Sequence, residues 1–123
     1  MRLLSVKHFL LATCSIVLLS CAQPENNLTF ELEEASVTDL QQFMRKGQLS
    51  ATTLVQAYLD RIAQYDDQVK SIIQLNPDAL AIARVLDEER AAGKLRGPLH
   101  GIPVLIKDNI DTGDQMLTTA GSL

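Results

Sequence analysis

A single lysine stands at the end of a short apolar run, where its surroundings decide its chemistry. The run Ile-Pro-Val-Leu-Ile occupies residues 102–106, follows a glycine-rich turn and leads directly into Lys107. Side chains alternate along a strand, and both faces of this run are apolar, which is typical of a central parallel strand. Apolar walls favour the neutral form of an amine, and a neutral amine can accept a proton. Lys107 is therefore either a buried general base or a surface charge.

Asp108 is the argument against a base, because a neighbouring carboxylate stabilises the charged form of an amine. Adjacent residues of a strand point to opposite faces, so the Asp108 carboxylate need not reach Lys107. The carboxyl end of a strand is also where open α/β sheets place their ligand crevices. Taken alone, these residues leave both interpretations of Lys107 open.

The other candidate functional residues give weaker indications of a site. His100 has no second histidine or carboxylate at the spacing of a metal site, so a turn histidine is the favoured interpretation. Gly93, Gly97 and Gly101 recur at intervals of four but lack the strand-then-helix setting of a phosphate loop. The acidic run at residues 87–89 and the following Arg90 are predicted to face solvent on a helix surface.

The pattern of apolar residues predicts the order helix, helix, strand, helix, strand. The first helix begins at Ser36 or Thr38 and ends at Gly47, and Ser50 begins the second. We expect a strand at 71–75, a helix between Pro77 and Gly93, and a strand at 102–106. A strand–helix–strand crossover implies a parallel pair, and hence an α/β fold with helices laid on a sheet. The apolar stripes of the second and third helices are Leu54, Val55, Tyr58, Ile62 and Tyr65, and Ala79, Ile82, Ala83 and Leu86.

Composition excludes some classes of function. The chain has 123 residues, 46% of them hydrophobic and 21% charged, with a net charge of -4. This composition is that of a globular segment, and the length allows one domain at most or a piece of one. The mild acidity, with no cluster of basic residues, argues against a nucleic-acid partner.

The first twenty residues have the pattern of an export signal. Arg2, Lys7 and His8 precede an apolar run at residues 9–19, which is shorter than the roughly 20 residues of a spanning helix. The run ends in Leu-Leu-Ser before Cys21, which resembles the lipobox of bacterial lipoproteins. We expect residues 1–20 to be a lipoprotein-type signal peptide, Cys21 to carry the lipid anchor, and residues 21–34 to be a tether. The protein would then be exported, periplasmic or anchored to the outer membrane. The alternative is a plain signal peptide, with Cys21 an incidental thiol.

The segment around Lys107 resembles a known family. Residues 97–109, Gly-Pro-Leu-His-Gly-Ile-Pro-Val-Leu-Ile-Lys-Asp-Asn, are similar to the lysine segment of the amidase signature family, and Thr-Thr-Ala-Gly-Ser at 118–122 is similar to its TTAGS element. Residues 54–62, 76–80 and 87–90 also look similar, so the resemblance covers roughly residues 35–123. It implies an α/β fold with a mixed β-sheet core covered by helices, of which residues 35–123 form the N-terminal part.

The resemblance also implies a mechanism. Family members hydrolyse carboxamides with a Ser–Ser–Lys triad, in which a neutral lysine draws a proton through a bridging serine in a cis peptide. Lys107 would be that lysine. Both serines would lie beyond Leu123, so the 123-residue chain is expected to lack activity. No metal or organic cofactor is implied, and the substrate would be a small or peptide-like amide. The oligomeric state is left open.

Two alternatives compete with an exported amidase. One is a non-catalytic exported lipoprotein, or a truncated remnant of an enzyme. The other, within the same family, is the glutaminase-like protein that amidates mischarged transfer RNA as part of an amidotransferase. An export signal argues against the second, because that chemistry takes place in the cytoplasm.

Overall fold

The computed structural model describes residues 31–122, and the helices in this range are those that the sequence predicts. They are α1 (Val37–Arg45), α2 (Ala51–Val69) and α3 (Ala79–Ala91). None of these helices is long and apolar enough to cross a lipid bilayer. The predicted signal peptide, Cys21 and most of the tether lie outside the described residues.

Serine side chains begin the first two helices, as predicted. The Ser36 hydroxyl accepts a hydrogen bond from the backbone N–H of Asp39 at 3.2 Å, and Ser50 does the same for Thr53 at 2.9 Å. These bonds satisfy N–H groups that have no partner within the helix. Gly47 ends α1 in the left-handed region, with φ of 68°. Local sequence therefore fixes where both helices begin.

The core lies where α1, α2 and α3 meet. Leu54 is fully buried, and the neighbouring core side chains are Leu40, Met44, Leu49, Ala51, Val55 and Ala83. The predicted stripe of α2 is buried only in its first half, because Tyr65 at its far end is 44% exposed. Ile82 of α3 is exposed to the same degree. The helices thus bury one end of their apolar faces and leave the other end open.

The acidic run at 87–89 is a solvated surface only in part. Glu88 is exposed as predicted, but Asp87 is half-buried, and its carboxylate accepts hydrogen bonds from the N–H groups of Ala51 at 2.7 Å and Thr52 at 2.9 Å. The Thr52 hydroxyl adds a third bond at 2.7 Å. Free N–H groups and the helix dipole both favour an anion at the first turn of a helix. The prediction was therefore wrong for Asp87, which fastens α3 to the beginning of α2.

The two predicted strands are not formed within residues 31–122. Residues 71–75 and 102–106 carry no strand, and no backbone hydrogen bond joins them. The expected burial of the second run was also wrong here, because Val104 is 70% exposed and Leu105 is 76% exposed. A strand needs a hydrogen-bonded neighbour, and two short strands do not make a stable sheet by themselves. The mixed sheet is thus absent from the part of the chain that the structure describes.

Candidate active site

Lys107 lies at the wall of a cavity of about 540 Å³. Most of the lining comes from three stretches of chain, residues 71–74, 105–110 and 116–121. These are the first predicted strand, the lysine segment and the Thr-Thr-Ala-Gly-Ser element. Among residues 31–122, Lys107 and Asp108 are the ionisable residues that line this cavity. The structure thus brings together the lysine and the two motifs that carried the family resemblance.

The lysine itself is exposed rather than buried. Its carbonyl accepts a hydrogen bond from the N–H of Ile110 at 2.9 Å, so the chain turns immediately after it. Within the described residues its amine has neither a hydrogen-bond partner nor an ion-pair partner. The apolar residues before it lack a covering layer within residues 31–122, and Lys107 is exposed with them. Among residues 31–122, no carboxylate forms an ion pair with this amine.

The Asp108 carboxylate binds Thr119 instead of that amine. The Thr119 hydroxyl donates to Oδ2 in a short hydrogen bond, and the Thr119 N–H donates to Oδ1 at 3.3 Å. The N–H of Ala120 also donates to the backbone carbonyl of Asp108 at 3.3 Å. The prediction that the Asp108 carboxylate need not reach Lys107 is therefore confirmed.

Residues 119–122 form a tight turn beside the lysine. The N–H of Ser122 donates to the Thr119 carbonyl at 2.8 Å, and the central residues Ala120 and Gly121 have φ of 49° and 78°. Two successive positive φ angles within such a turn define type I′. Glycine adopts this region freely, whereas alanine does so at a cost. The turn points the N–H groups of residues 119–121 towards Asp108.

These donors make the Asp108 contact sensitive to acid. The hydrogen bond from the Thr119 hydroxyl, followed by those from backbone N–H groups, lowers the pKa of Asp108 below its usual value. A lowered pKa in the folded state means that the contact stabilises the fold above the unfolded pKa and is lost as the pH falls through the folded pKa. We expect the amide signals of Thr119 and Gly121 to shift in an NMR titration from about pH 6 to pH 2. In an Asp108→Asn variant this titration should vanish, whereas the amide signals of α1 should follow the same pH dependence as in the wild type.

Side chains at the end of the first predicted strand and just after it bind residues 114–117. The Gln74 amide oxygen accepts from the N–H of Leu117 at 2.9 Å. Asn76 donates to Asp114 at 3.1 Å, and Gln115 donates to Asp78 at 2.8 Å. The last stretch of described chain is thus tied to the beginning of α3 by polar contacts rather than by a shared sheet.

A polar cluster made of Gln41, Arg90 and His100 anchors the turn that leads into the lysine segment. The Gln41 amide and the Arg90 guanidinium each donate to the His100 carbonyl at 2.9 Å, and Arg90 also donates to the Gln41 amide oxygen at 2.9 Å. Gln41 and His100 are both buried. Sequence reasoning missed Gln41 and placed Arg90 in solvent. A glutamine and an arginine on helices carry no local signal that they will meet.

The imidazole of His100 is held by both nitrogens. Nδ1 accepts from the N–H of Arg96 at 3.2 Å, and Nε2 lies 2.8 Å from the carbonyl of Leu86. An acceptor at Nδ1 leaves the proton on Nε2, where it is donated to Leu86. The prediction of a turn histidine is confirmed. Within residues 31–122, no group of three or more His, Cys, Asp or Glu residues is placed to hold a metal ion.

Gly101 ends the anchored turn in a conformation that other residues resist. Its φ is 81°, and a Cβ atom there would lie 3.0 Å from the Cβ of Ala51. We expect Gly101→Ala to lower the free energy of unfolding by about 1–2 kcal/mol, because a left-handed alanine is strained and α2 is in the way. Urea denaturation measures this. Gly113→Ala is the matched control, since Gly113 has an ordinary φ and open space around it. Equal effects of the two substitutions would contradict the expectation.

A second, more apolar cavity of about 830 Å³ adjoins the first. Its walls include Tyr58, Ile62 and Tyr65 of the α2 stripe and residues 103–106 of the lysine segment. The apolar residues of both predicted strands therefore face a common opening. This opening explains why the second half of the α2 stripe is not buried.

Comparison with known proteins gives consistent results. The family model described as Amidase matches residues 53–123. A protein of Schizosaccharomyces pombe named as an amidase is 55% identical over 91 residues, which cover 74% of this chain and 16% of that protein. A glutamyl-tRNA(Gln) amidotransferase component of Thermobifida fusca is 45% identical over 93 residues, covering 75% of this chain and 18% of that protein.

A solved structure is similar as well. The X-ray structure of the native peptide amidase from Stenotrophomonas maltophilia superposes with a TM-score of 0.70 at 53% sequence identity, over 72% of this chain and 19% of that chain. The present chain thus spans less than a fifth of the length of these relatives.

Proposed function

Because the chain belongs to the amidase family, we propose that it forms the lysine-bearing part of an enzyme that hydrolyses carboxamides. The observation that carries the proposal is the position of Lys107. Its amine lies at a cavity wall beside the Thr-Thr-Ala-Gly-Ser turn and has no counter-ion within residues 31–122. Such an amine is available as a proton acceptor once a covering layer excludes water.

In the proposed reaction, Lys107 takes a proton from a bridging serine, which in turn takes the proton of a second, nucleophilic serine. The nucleophile attacks the amide carbon, and the carbon–nitrogen bond breaks as ammonia or an amine leaves with a proton. Water then hydrolyses the acyl-enzyme. Backbone N–H groups of a Gly/Ser-rich loop would stabilise the oxyanion. The chemistry needs neither a metal nor an organic cofactor.

We do not assign the bridging serine or the nucleophilic serine to any residue among 31–122. Ser122 is the one nearest to the lysine segment in sequence, but its hydroxyl donates to the Thr119 carbonyl at 2.6 Å. This contact supports a structural role for Ser122 within its own turn. The 123-residue chain is therefore proposed to be inactive by itself, since a triad that lacks members loses most of its rate.

The proposed substrate is a small amide or an amidated peptide-like compound outside the cytoplasm. The similarity to a peptide amidase of known structure supports this class. The similarity to a glutamyl-tRNA(Gln) amidotransferase component supports ammonia release from glutamine instead. The export pattern of residues 1–20 favours the first class.

The test is an assay on the protein expressed from its gene up to the natural stop codon. We expect ammonia release from amidated dipeptides, inhibition by a serine-directed sulfonyl fluoride and no inhibition by EDTA. Activity confined to glutamine, with amidation of glutamyl-tRNA, would favour the amidotransferase alternative. No amide hydrolysis at all would favour the non-catalytic lipoprotein.

Membrane anchoring through Cys21 has its own test. We expect the wild-type protein, produced in a Gram-negative host, to incorporate labelled palmitate and to partition into detergent. Cys21→Ser should abolish the labelling because the serine hydroxyl replaces the thiol that the lipid modifies. Cys14→Ser is the matched control, since Cys14 lies inside the apolar run and would be removed with it. Export without labelling of the wild type would indicate the plain signal peptide.

A further inference from the structure

Asp108 has a role that its place beside Lys107 does not suggest. An aspartate next to a lysine would ordinarily supply a counter-ion, and a counter-ion would hold the amine in its charged form. In this structure the carboxylate is engaged elsewhere, because Oδ1 accepts the Thr119 N–H and Oδ2 accepts the Thr119 hydroxyl. The lysine amine consequently stands beside a carboxylate that is not its partner.

The contact also determines the shape of the cavity. Asp108 and the turn at 119–122 are connected through the Asp108 carboxylate, its backbone carbonyl and Thr119. Ala120 and Gly121 of that turn line the cavity together with Lys107. The conformation of the turn has positive φ at Ala120, which an alanine does not adopt without support. The hydrogen bonds to Asp108 supply that support.

We propose that Asp108 is a positioning residue: its carboxylate fastens the turn at residues 119–122 beside Lys107, and Thr119 in return keeps that carboxylate from pairing with the lysine amine. The inference rests on the proposed function, because supporting the cavity wall and leaving the amine without a counter-ion both serve the proposed role of Lys107 as a base. It concerns residues present in this chain, so it is testable without amide hydrolysis.

Charge around the lysine supports the argument. Among residues 31–122, the other ionisable residue that lines the cavity is Asp108 itself. Asp111, the next acidic residue, accepts a hydrogen bond from the Thr118 hydroxyl at 3.1 Å, and Asp114 accepts from Thr112 at 2.7 Å. Each neighbouring carboxylate is therefore engaged by a threonine. Thr119 is the one whose removal would release a carboxylate adjacent to Lys107.

The experiment measures the reactivity of the Lys107 amine by competitive labelling. The 123-residue chain is treated with a trace of an amine-reactive anhydride between pH 7 and pH 10, and the labelled peptides are quantified by mass spectrometry. Lys94 is the internal standard for an exposed amine without a direct hydrogen bond or salt bridge in the described residues, its charge acting on Glu89 only from a longer distance. Lys70 is the standard for a paired amine, at 2.9 Å from Asp67. Only the neutral amine reacts, so labelling reports the proton on each lysine.

We expect Thr119→Val to lower the labelling of Lys107 relative to Lys94 by about two- to five-fold, the range that an exposed ion pair produces. Oδ1 of Asp108 still accepts the backbone N–H of residue 119, but Oδ2 has lost its donor and becomes available to pair with the amine, which keeps the amine protonated. Thr119→Ser should behave as the wild type because it keeps the hydroxyl. Thr118→Val, which removes the neighbouring hydroxyl from Asp111, is the matched control and should leave Lys107 unchanged.

A double variant separates charge from structure. Adding Asp108→Asn to Thr119→Val should return Lys107 to the wild-type labelling, since the released group no longer carries a charge. If Thr119→Val has no effect, or if Thr118→Val has the same effect, the proposal is overturned. If the double variant stays as low as Thr119→Val, the change is structural and the charge argument is wrong. None of these outcomes depends on whether the complete protein hydrolyses amides.

Discussion

Replacing Lys107 by alanine should lower amide hydrolysis by the complete protein by at least about three orders of magnitude. The proposed base is then absent, and no other ionisable residue among 31–122 lines the cavity except Asp108, whose carboxylate is bound to Thr119. The loss should appear in kcat rather than in KM, because the amine acts on the proton of the nucleophile and not on substrate binding. Initial rates of ammonia release over a range of substrate concentrations measure both constants.

Two further variants define what the lysine contributes. Lys107→Arg keeps the positive charge but cannot act as a base, since a guanidinium does not give up its proton in proteins. It should be as inactive as Lys107→Ala. Lys94→Ala removes an exposed lysine whose amine has no hydrogen-bond or ion-pair partner in the described residues, and it should retain full activity. An active Lys107→Arg enzyme would show that the charge matters and not the proton, and the proposed mechanism would then be wrong.

The largest effect on stability is expected from Leu54→Ala. Leu54 is the fully buried side chain at the centre of the three-helix core, with 0% exposure. Truncating a buried leucine removes its transfer free energy and leaves a cavity, at a cost of about 3–5 kcal/mol. The free energy of unfolding of a protein domain is only about 5–15 kcal/mol, so a loss of this size raises the unfolded fraction strongly. Urea denaturation followed by helical circular dichroism measures the change.

Leu95→Ala is the matched control for that substitution. Leu95 is 54% exposed, and the same atoms are removed from a site that is already in contact with water. Its effect should stay within about 0.5 kcal/mol. If the two leucine variants differ by less than about 1 kcal/mol, then Leu54 does not occupy the centre of a packed core in solution.

The helices were predictable because their signals are local. Ser36 and Ser50 begin α1 and α2 where the sequence indicated, and Gly47 and Gly93 follow α1 and α3 with positive φ. Hydroxyl caps and left-handed glycines act within one turn of the chain, so a short window of sequence contains all that determines them. The apolar stripe of α2 also predicted the burial of Leu54 and Val55, but it did not include the buried Ala51 and Ala57, and its last member, Tyr65, is exposed.

The strands were not predictable in the same way, because a strand is defined by its neighbours. Residues 102–106 have the composition of a buried strand, yet Leu105 is 76% exposed in the described structure. Composition indicates that a segment is suited to a sheet and says nothing about which partner is present. Within residues 31–122 no backbone hydrogen bond joins this segment to residues 71–75, and its apolar surface is open.

The sequence singled out Lys107 as the candidate base, which stays a prediction, but it indicated none of the contacts that surround this lysine. Lys107 stood out because an amine after an apolar run is unusual, and the resemblance added the Thr-Thr-Ala-Gly-Ser element. The Asp108–Thr119 contact and the Gln41–His100 contact join residues 11 and 59 positions apart. Such pairs depend on the path of the whole chain. Asp87 was misjudged for the same reason, since its partners are 35 and 36 positions away.

The Gln41 contact has a practical consequence for where the unit begins. The family match starts at residue 53, which falls inside α2 and excludes α1 altogether. A recombinant version that begins at residue 53 would lack Leu40 and Met44 of the core. It would also lack Gln41, whose side-chain amide binds both His100 and Arg90. Cloning should therefore start no later than Ser36, so that the leading helix and its serine cap are kept.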